Sequence, residues 1–283
     1  MNEYGRDTKH PVPVLLFAPN LFSRHRGSYL KLALSLKEHR LLLHMLRVAW
    51  LSLFAAPSAA MSLHLRYFDA RGAAEVTRVL LAISGTDYAD HRFAIERTDA
   101  GFSTPEFTSD KESGALAANL NRAPVLLVDE QPIGQSHAIE RYIATQGGLM
   151  GATPLEAAII DSVAEHVRDV KDAQGRKGFG MFSRDKSDEE KAEAKAEWYD
   201  TDMPSWLQRI EACVEPVKSI VCGDVPSYAA VCIWQLLREG TDEDLALVAK
   251  AAEGCDALNS IADAVATHPR VADWVSKRPV TMM

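Results

Sequence analysis

The stretch APVLLVDEQPIGQSHAIERYIA, residues 123–144, decides how this chain folds. Val125–Val128 is an apolar run of strand length, and Asp129–Pro132 follow with turn chemistry. A brief return strand at Ile133 then leads into a helix from Ser136 to Gln146. A proline opens the apolar run. Because proline donates nothing to a strand ladder, Pro124 belongs at a strand start or edge. It is either an ordinary trans proline there or one of the roughly one in twenty X–Pro bonds that are cis. A cis bond turns the backbone of Ala123 outward, where it can pair with an extended peptide as an added strand does. The polar pair Gln135–Ser136 at the helix start also has two readings. Ser136 caps the helix, or its hydroxyl and the free amides of the first turn receive a carboxylate.

Before this stretch, LHLRYF at residues 63–68 alternates, with Leu63, Leu65 and Tyr67 on one face of a strand. Val76, Val79, Leu80 and Ile83 recur at helical spacing, and Gly85 is the expected stop. YADHRFAIE, residues 88–96, reads as a second strand. The polar run from Arg97 to Arg122 reads as a loop carrying a short helix. The order β-α-β-loop-β-β-α predicts an α/β domain with a mixed sheet over residues 61–149. It closes at the glycine-rich seam GGLMGATP. Residues 150–283 read as all-helical, with Leu155, Ile159, Val163, Val167 and Val170 on one apolar stripe.

The chain has 283 residues, enough for about two domains. Its 39 carboxylates against 31 Lys and Arg disfavour a general nucleic-acid binder, which shows a basic stripe. The four cysteines form no C-x-x-C, so zinc and dithiol chemistry have no support, and they read as small core or surface thiols. The first 60 residues differ from the rest. MLRVAWLSLFAAPSAA, from Met45 to Ala60, has the outline of a secretory or organelle signal. Its apolar part is shorter than the roughly 20 residues that cross a bilayer, so no stable membrane association is expected. An upstream extension or a helix packed on the domain are the competing readings, and Met61 could be the working start. Residues 1–60 are treated as a leader outside the core.

Tyr67 ends the first strand where the chain turns into a helix. Its phenol could donate to an anion in a cleft, or it is a core aromatic with its hydroxyl at the edge. No Ser/His/Asp grouping is visible, and His137 reads as a helix-surface residue. Residues 61–149 contain no cysteine. A thiol–disulfide oxidoreductase would need one near the first turn. Thiol chemistry here requires a thiol that arrives with a substrate.

LRYFDARGAAEVTRVLLAISG, the quoted 123–144 stretch and the terminal HPRVADWVSKRPVT together resemble a cytosolic glutathione transferase, closest to the sigma class. The resemblance spans residue 62 to about 281. It implies a thioredoxin-like N-terminal domain, an all-helical C-terminal domain, a cytoplasmic homodimer, and glutathione as co-substrate without a metal. Tyr67 matches the tyrosine that hydrogen-bonds the glutathione sulfur. Ala123 and Pro124, cis in this family, match the pair that aligns the cysteinyl part. Gln135 and Ser136 match the residues holding the γ-glutamyl end, and Arg122 stands where a Lys often meets the glycine carboxylate. Glu165 falls near the acidic position that reaches the neighbouring subunit's glutathione, with Asp161 one turn earlier as the fallback.

There are departures from the pattern. Ala73 replaces a basic residue, leaving the tyrosine's support to another group such as Arg71. Thr104 stands where relatives often have Trp, and the loop before Pro124 is long. Ala230 replaces an Asp that closes a capping box with a residue like Ser227. The implied activity is conjugation of glutathione to small hydrophobic electrophiles. A glutathione-dependent prostaglandin isomerase and a non-catalytic structural or binding protein are the alternatives.

Overall fold

The computed structural model describes residues 61–281 apart from residues 100, 181, 182 and 184. The leader read in residues 1–60, with its Met45–Ala60 stretch, lies outside the described residues.

Strands β1 (Leu63–Phe68) and β2 (Ala89–Phe93) run parallel, joined over the sheet by helix α1 (Glu75–Ser84). β5 (Val125–Val128) lies antiparallel to β1, and β6 (Gln131–Gly134) antiparallel to β5, giving the sheet order β2-β1-β5-β6. This is the thioredoxin-like mixed sheet expected from the sequence. The β5–β6 hairpin turns on Asp129 (φ 46°) and Glu130 (φ 72°), two successive left-handed residues of the kind a two-residue hairpin needs. Ser62 secures it, donating from its amide to Asp129 Oδ1 at 2.8 Å. Helix α3 (Ser136–Gln146) follows directly.

Alternation along the strands divides the core in two. Leu63, Leu65 and Leu126 are buried with Val79 and Leu80 of α1 and with Ile139 and Ile143 of α3. On the opposite face Phe93, Leu116 and Val125 pack with Phe68 and Phe107. Phe107 belongs to α2 (Pro105–Ser113), the short helix expected in the polar run. A small hairpin, β3 (Glu96–Thr98) with β4 (Gly101–Ser103), straddles the start of that run and takes the last residue of the stretch read as the second strand; alternation did not reveal it because all three β3 residues are exposed.

Helices make up the rest. α4 (Pro154–Lys177) is long and starts with a capping box between Thr153 and Glu156. α5 (Asp188–Glu197) and α6 (Met203–Val214) follow. α7 (Tyr228–Arg238) is the central helix, buried along most of its length. α8 (Asp242–Ala251), α9 (Asp256–Thr267) and α10 (Pro269–Lys277) complete the bundle.

One part of the predicted stripe on α4 fails. Leu155 is 71% exposed, and Ile160 rather than Ile159 is fully buried. The buried side follows Ile160, Val163, Ala164, Val167 and Val170, a 3.6-residue progression that leaves the first turn facing solvent. At α7, Ser227 Oγ accepts the Ala230 amide at 3.4 Å with no acid to answer it, the half-cap that Ala230 implied.

Candidate active site

The chain leaves β1 and folds back on Tyr67. Gly72 has φ 39°, and a Cβ there would stand 2.5 Å from Tyr67 Oη, so only glycine lets the turn close on the phenol. The Ala73 amide then donates to Tyr67 Oη at 3.0 Å. Among the described residues the phenol's own proton has no acceptor. Accepting one hydrogen bond polarises the O–H and strengthens it as a donor toward whatever enters beside it.

The Tyr67 ring is half-buried, edge-on to Phe68 at 5.4 Å, and the Arg78 guanidinium lies 5.9 Å from its centroid. Arg78 is itself fully buried, donating to the Ala70 carbonyl at 2.6 Å and facing Asp90 at 3.2 Å. Arg71, expected to support the phenol, turns away to Glu239 at 3.0 Å. What meets the phenol oxygen is the Ala73 backbone amide, while Arg78 lies over the ring.

A second group of residues is tied by Asn119. The Ala123–Pro124 bond is cis. Among the described residues neither the amide nor the carbonyl of Ala123 pairs with another backbone group. The buried Asn119 donates to the Pro124 carbonyl at 2.8 Å and accepts the Gln135 amide at 3.1 Å. One side chain therefore sets both the start of β5 and the left-handed Gln135 (φ 69°) that precedes α3. Exposed Arg122 lies beside it, Nε donating to the Asn119 carbonyl at 3.4 Å.

Ser136 is the first residue of α3, and its hydroxyl does not cap the helix. With the unpaired amides of the first turn it faces a cleft of about 230 Å³ that Gly72 and Ala73 also line. The phenol turn and the α3 N-terminus thus share one cleft. Glu165 and Asp161 do not line it. Both are engaged by Arg141, Asp161 at 2.6 Å, and Glu165 also faces Arg168 at 3.3 Å.

The cleft's helical wall carries groups that sequence reasoning passed over. Cys232, one of the four cysteines read from the sequence as core or surface thiols, lines it. It is buried, and burial with nearby Glu140 pushes its thiol up, which disfavours the thiolate form. Buried Glu140 accepts the Tyr228 hydroxyl at 2.9 Å and faces His137 Nδ1 at 3.2 Å, so His137 is a cleft residue rather than a bystander. Lys171 stands at the end of the buried stripe, four residues after Val167, and that spacing could have revealed it. A second cleft of about 560 Å³ shares Gly72, Lys171 and Gln235 and has apolar walls from Tyr199, Met203, Leu236 and Val248.

The sequence matches the family "Glutathione S-transferase, N-terminal domain" over residues 63–145, and "Glutathione S-transferase, C-terminal domain" over residues 174–278. It is 30% identical over 222 residues to hematopoietic prostaglandin D synthase of Gallus gallus, covering 77% of this chain and 96% of that protein. It is 31% identical over 221 residues to glutathione S-transferase P of Caenorhabditis elegans, covering 77% and 94%. Among solved structures, a Nu-class enzyme from Haemonchus contortus superposes with a TM-score of 0.61 at 24% identity, over 79% of this chain and all of that one.

Proposed function

The chain belongs to the glutathione S-transferase family, and on that footing we propose that it transfers glutathione to small hydrophobic electrophiles, with Tyr67 holding the sulfur as a thiolate. The observation that carries this is the contact of the Tyr67 phenol with the Gly72–Ala73 turn, which lines the cleft that Ser136 also faces. Sulfur and γ-glutamyl carboxylate are then received by one continuous surface.

In this reading the outward backbone of Ala123, set by cis Pro124, pairs with the cysteinyl amide, Gln135 and Ser136 take the γ-glutamyl end, and Arg122 reaches the glycine carboxylate. Glu165 reaches a neighbouring subunit's glutathione in a homodimer. The electrophile lies in the larger apolar cleft. The thiolate sulfur bonds to its carbon, the leaving group departs with the electron pair, and the thiol proton goes to solvent. The glutathione-binding domain is residues 61–149 and the helical domain 150–283.

The sigma-type assignment draws on the likeness to a protein named prostaglandin D synthase, and the same likeness makes a glutathione-dependent prostaglandin isomerase the second reading. A cytoplasmic setting is supported by four cysteines that are all free and by the absence, among the described residues, of a helix long and apolar enough to cross a membrane.

The test is retention on immobilised glutathione followed by a conjugation assay with an activated aryl chloride. Retention with turnover is expected. No retention favours the structural protein, and retention without turnover favours a binder. Ser136→Ala removes a hydrogen bond to a charged carboxylate, so glutathione affinity should fall about 10- to 100-fold in calorimetry. An unaltered affinity would contradict the carboxylate assignment.

A further inference from the structure

We infer that Lys171 and Gln235 form an anion-recognition point for the second substrate, so that the preferred electrophile carries a carboxylate. This rests on the transferase reading above and names its substrate class.

The inference starts from the charges that line the larger cleft. Arg71 is paired with Glu239 at 3.0 Å, and Glu239 with Arg278 at 2.8 Å. Asp244 is paired with Lys195 at 2.9 Å. Lys171 is the exception: among the described residues it forms no ion pair, and its one hydrogen bond goes to the neutral side-chain oxygen of Gln235. In the smaller cleft Arg168 is answered by Glu165 at 3.3 Å. Glu140 acts on Lys171 only from beyond ion-pair distance, and it already accepts from Tyr228 and faces His137. Burial pulls the Lys171 ammonium below the usual lysine range, the sign that its charge is short of compensation. An anion supplied by a ligand is the missing partner.

The place of Lys171 says which ligand. It lies on the helical wall common to both clefts, and neither Gln135 nor Arg122, which are assigned to the ends of glutathione, lines either of them. Gln235, its partner, donates from Nε2 to the Gly72 carbonyl at 3.4 Å, and the next residue, Ala73, donates to the Tyr67 oxygen. The ammonium is therefore keyed to the same turn that meets the sulfur. Met203, Leu236 and Val248 provide the apolar bed for the body of an aromatic acid. A neutral electrophile would leave Lys171 desolvated and unanswered, whereas a carboxylate forms a charge-assisted bond there.

The experiment compares para-chloro-meta-nitrobenzoate with its methyl ester as electrophiles. With either, the glutathione sulfur bonds to the ring carbon that bears chlorine, and chloride leaves with the electron pair. The readout is the ratio of kcat/KM, acid over ester, in the wild type and in Lys171→Met, a change of similar length and volume. Lys171→Gln serves if the methionine variant does not fold. The ratio is expected to fall about 10- to 100-fold on losing the charged partner. An unchanged ratio, including an equal loss on both substrates, overturns the inference. Binding of meta-nitrobenzoate, which has no leaving group, is measured alongside by calorimetry. Absence of turnover sinks the transferase reading, while the calorimetric arm separately decides Lys171: weaker binding in the variant supports the anion point, equal binding removes it.

Discussion

Tyr67→Phe is expected to lower kcat/KM for an activated aryl chloride about 10- to 100-fold, while affinity for glutathione stays near the wild-type value. A free thiol titrates near 8.5, so only a few per cent is thiolate at neutral pH. Bringing that down by about two units takes about 2.7 kcal/mol of preferential stabilisation of the anion. One hydrogen bond to a charged sulfur contributes ~1.5–3 kcal/mol, which is most of it. The Phe ring keeps the packing on Phe68 and the position under Arg78 but has no proton to give.

The sign of the pH effect follows. The wild type, with a depressed thiol, should plateau near neutrality, and the variant should keep gaining rate until pH approaches about 8.5. Stopped-flow or steady-state rates over pH 6 to 9 (roughly the range in which protein and thiol both remain serviceable) read this directly. Equal rates for the two proteins would remove Tyr67 from the chemistry and leave the Ala73–phenol bond as a structural detail of the turn.

The phenol itself was legible in the sequence, but its surroundings were not. Alternation in LHLRYF put Tyr67 at the end of a strand, and the helical spacing of Val76, Val79, Leu80 and Ile83 put a turn after it. What meets the oxygen is a backbone amide, that of Ala73, and no side-chain pattern announces an amide. The expectation that Arg71 would help failed because Glu239, 168 residues away, claims it.

Asn119 was equally hidden. It sits in a polar run with no periodicity, and its importance arises only when the Pro124 carbonyl and the Gln135 amide are brought within reach of one side chain. Contacts of this kind join distant segments, so local propensity carries no trace of them. Lys171 and Glu140 are different. Each lies on the buried side of its helix, Glu140 next to Ile139 and four residues before Ala144, so an ionisable group on an apolar face marked both.

The largest loss of stability is expected from Glu75→Ala. Glu75 is 1% exposed at the start of α1 and accepts from Trp274 Nε1 at 2.9 Å and from Arg278 at 2.7 Å through one carboxylate oxygen. Its other oxygen lies 3.7 Å from the buried Arg78. Removing this carboxylate leaves two guanidinium groups without one of their counter-charges inside the protein. Breaking a buried pair from one side typically costs about 3–5 kcal/mol. For a chain of this size the thermal midpoint should drop by roughly 6–20 °C.

The consequence extends to the active site, because Arg278 also binds Glu239 at 2.8 Å, and Glu239 holds Arg71 at the mouth of the Gly72 turn. Loosening Arg278 therefore slackens the loop that closes on Tyr67, and activity measured well below the midpoint should fall as well. Glu75→Gln separates charge from shape: the amide oxygen can still accept from Trp274, so a loss close to that of alanine would assign the effect to the charge. A midpoint within 2 °C of wild type for the alanine variant would mean that packing of α10 (Pro269–Lys277) on α1, with Val271 fully buried between them, holds the C-terminus without the ionic link.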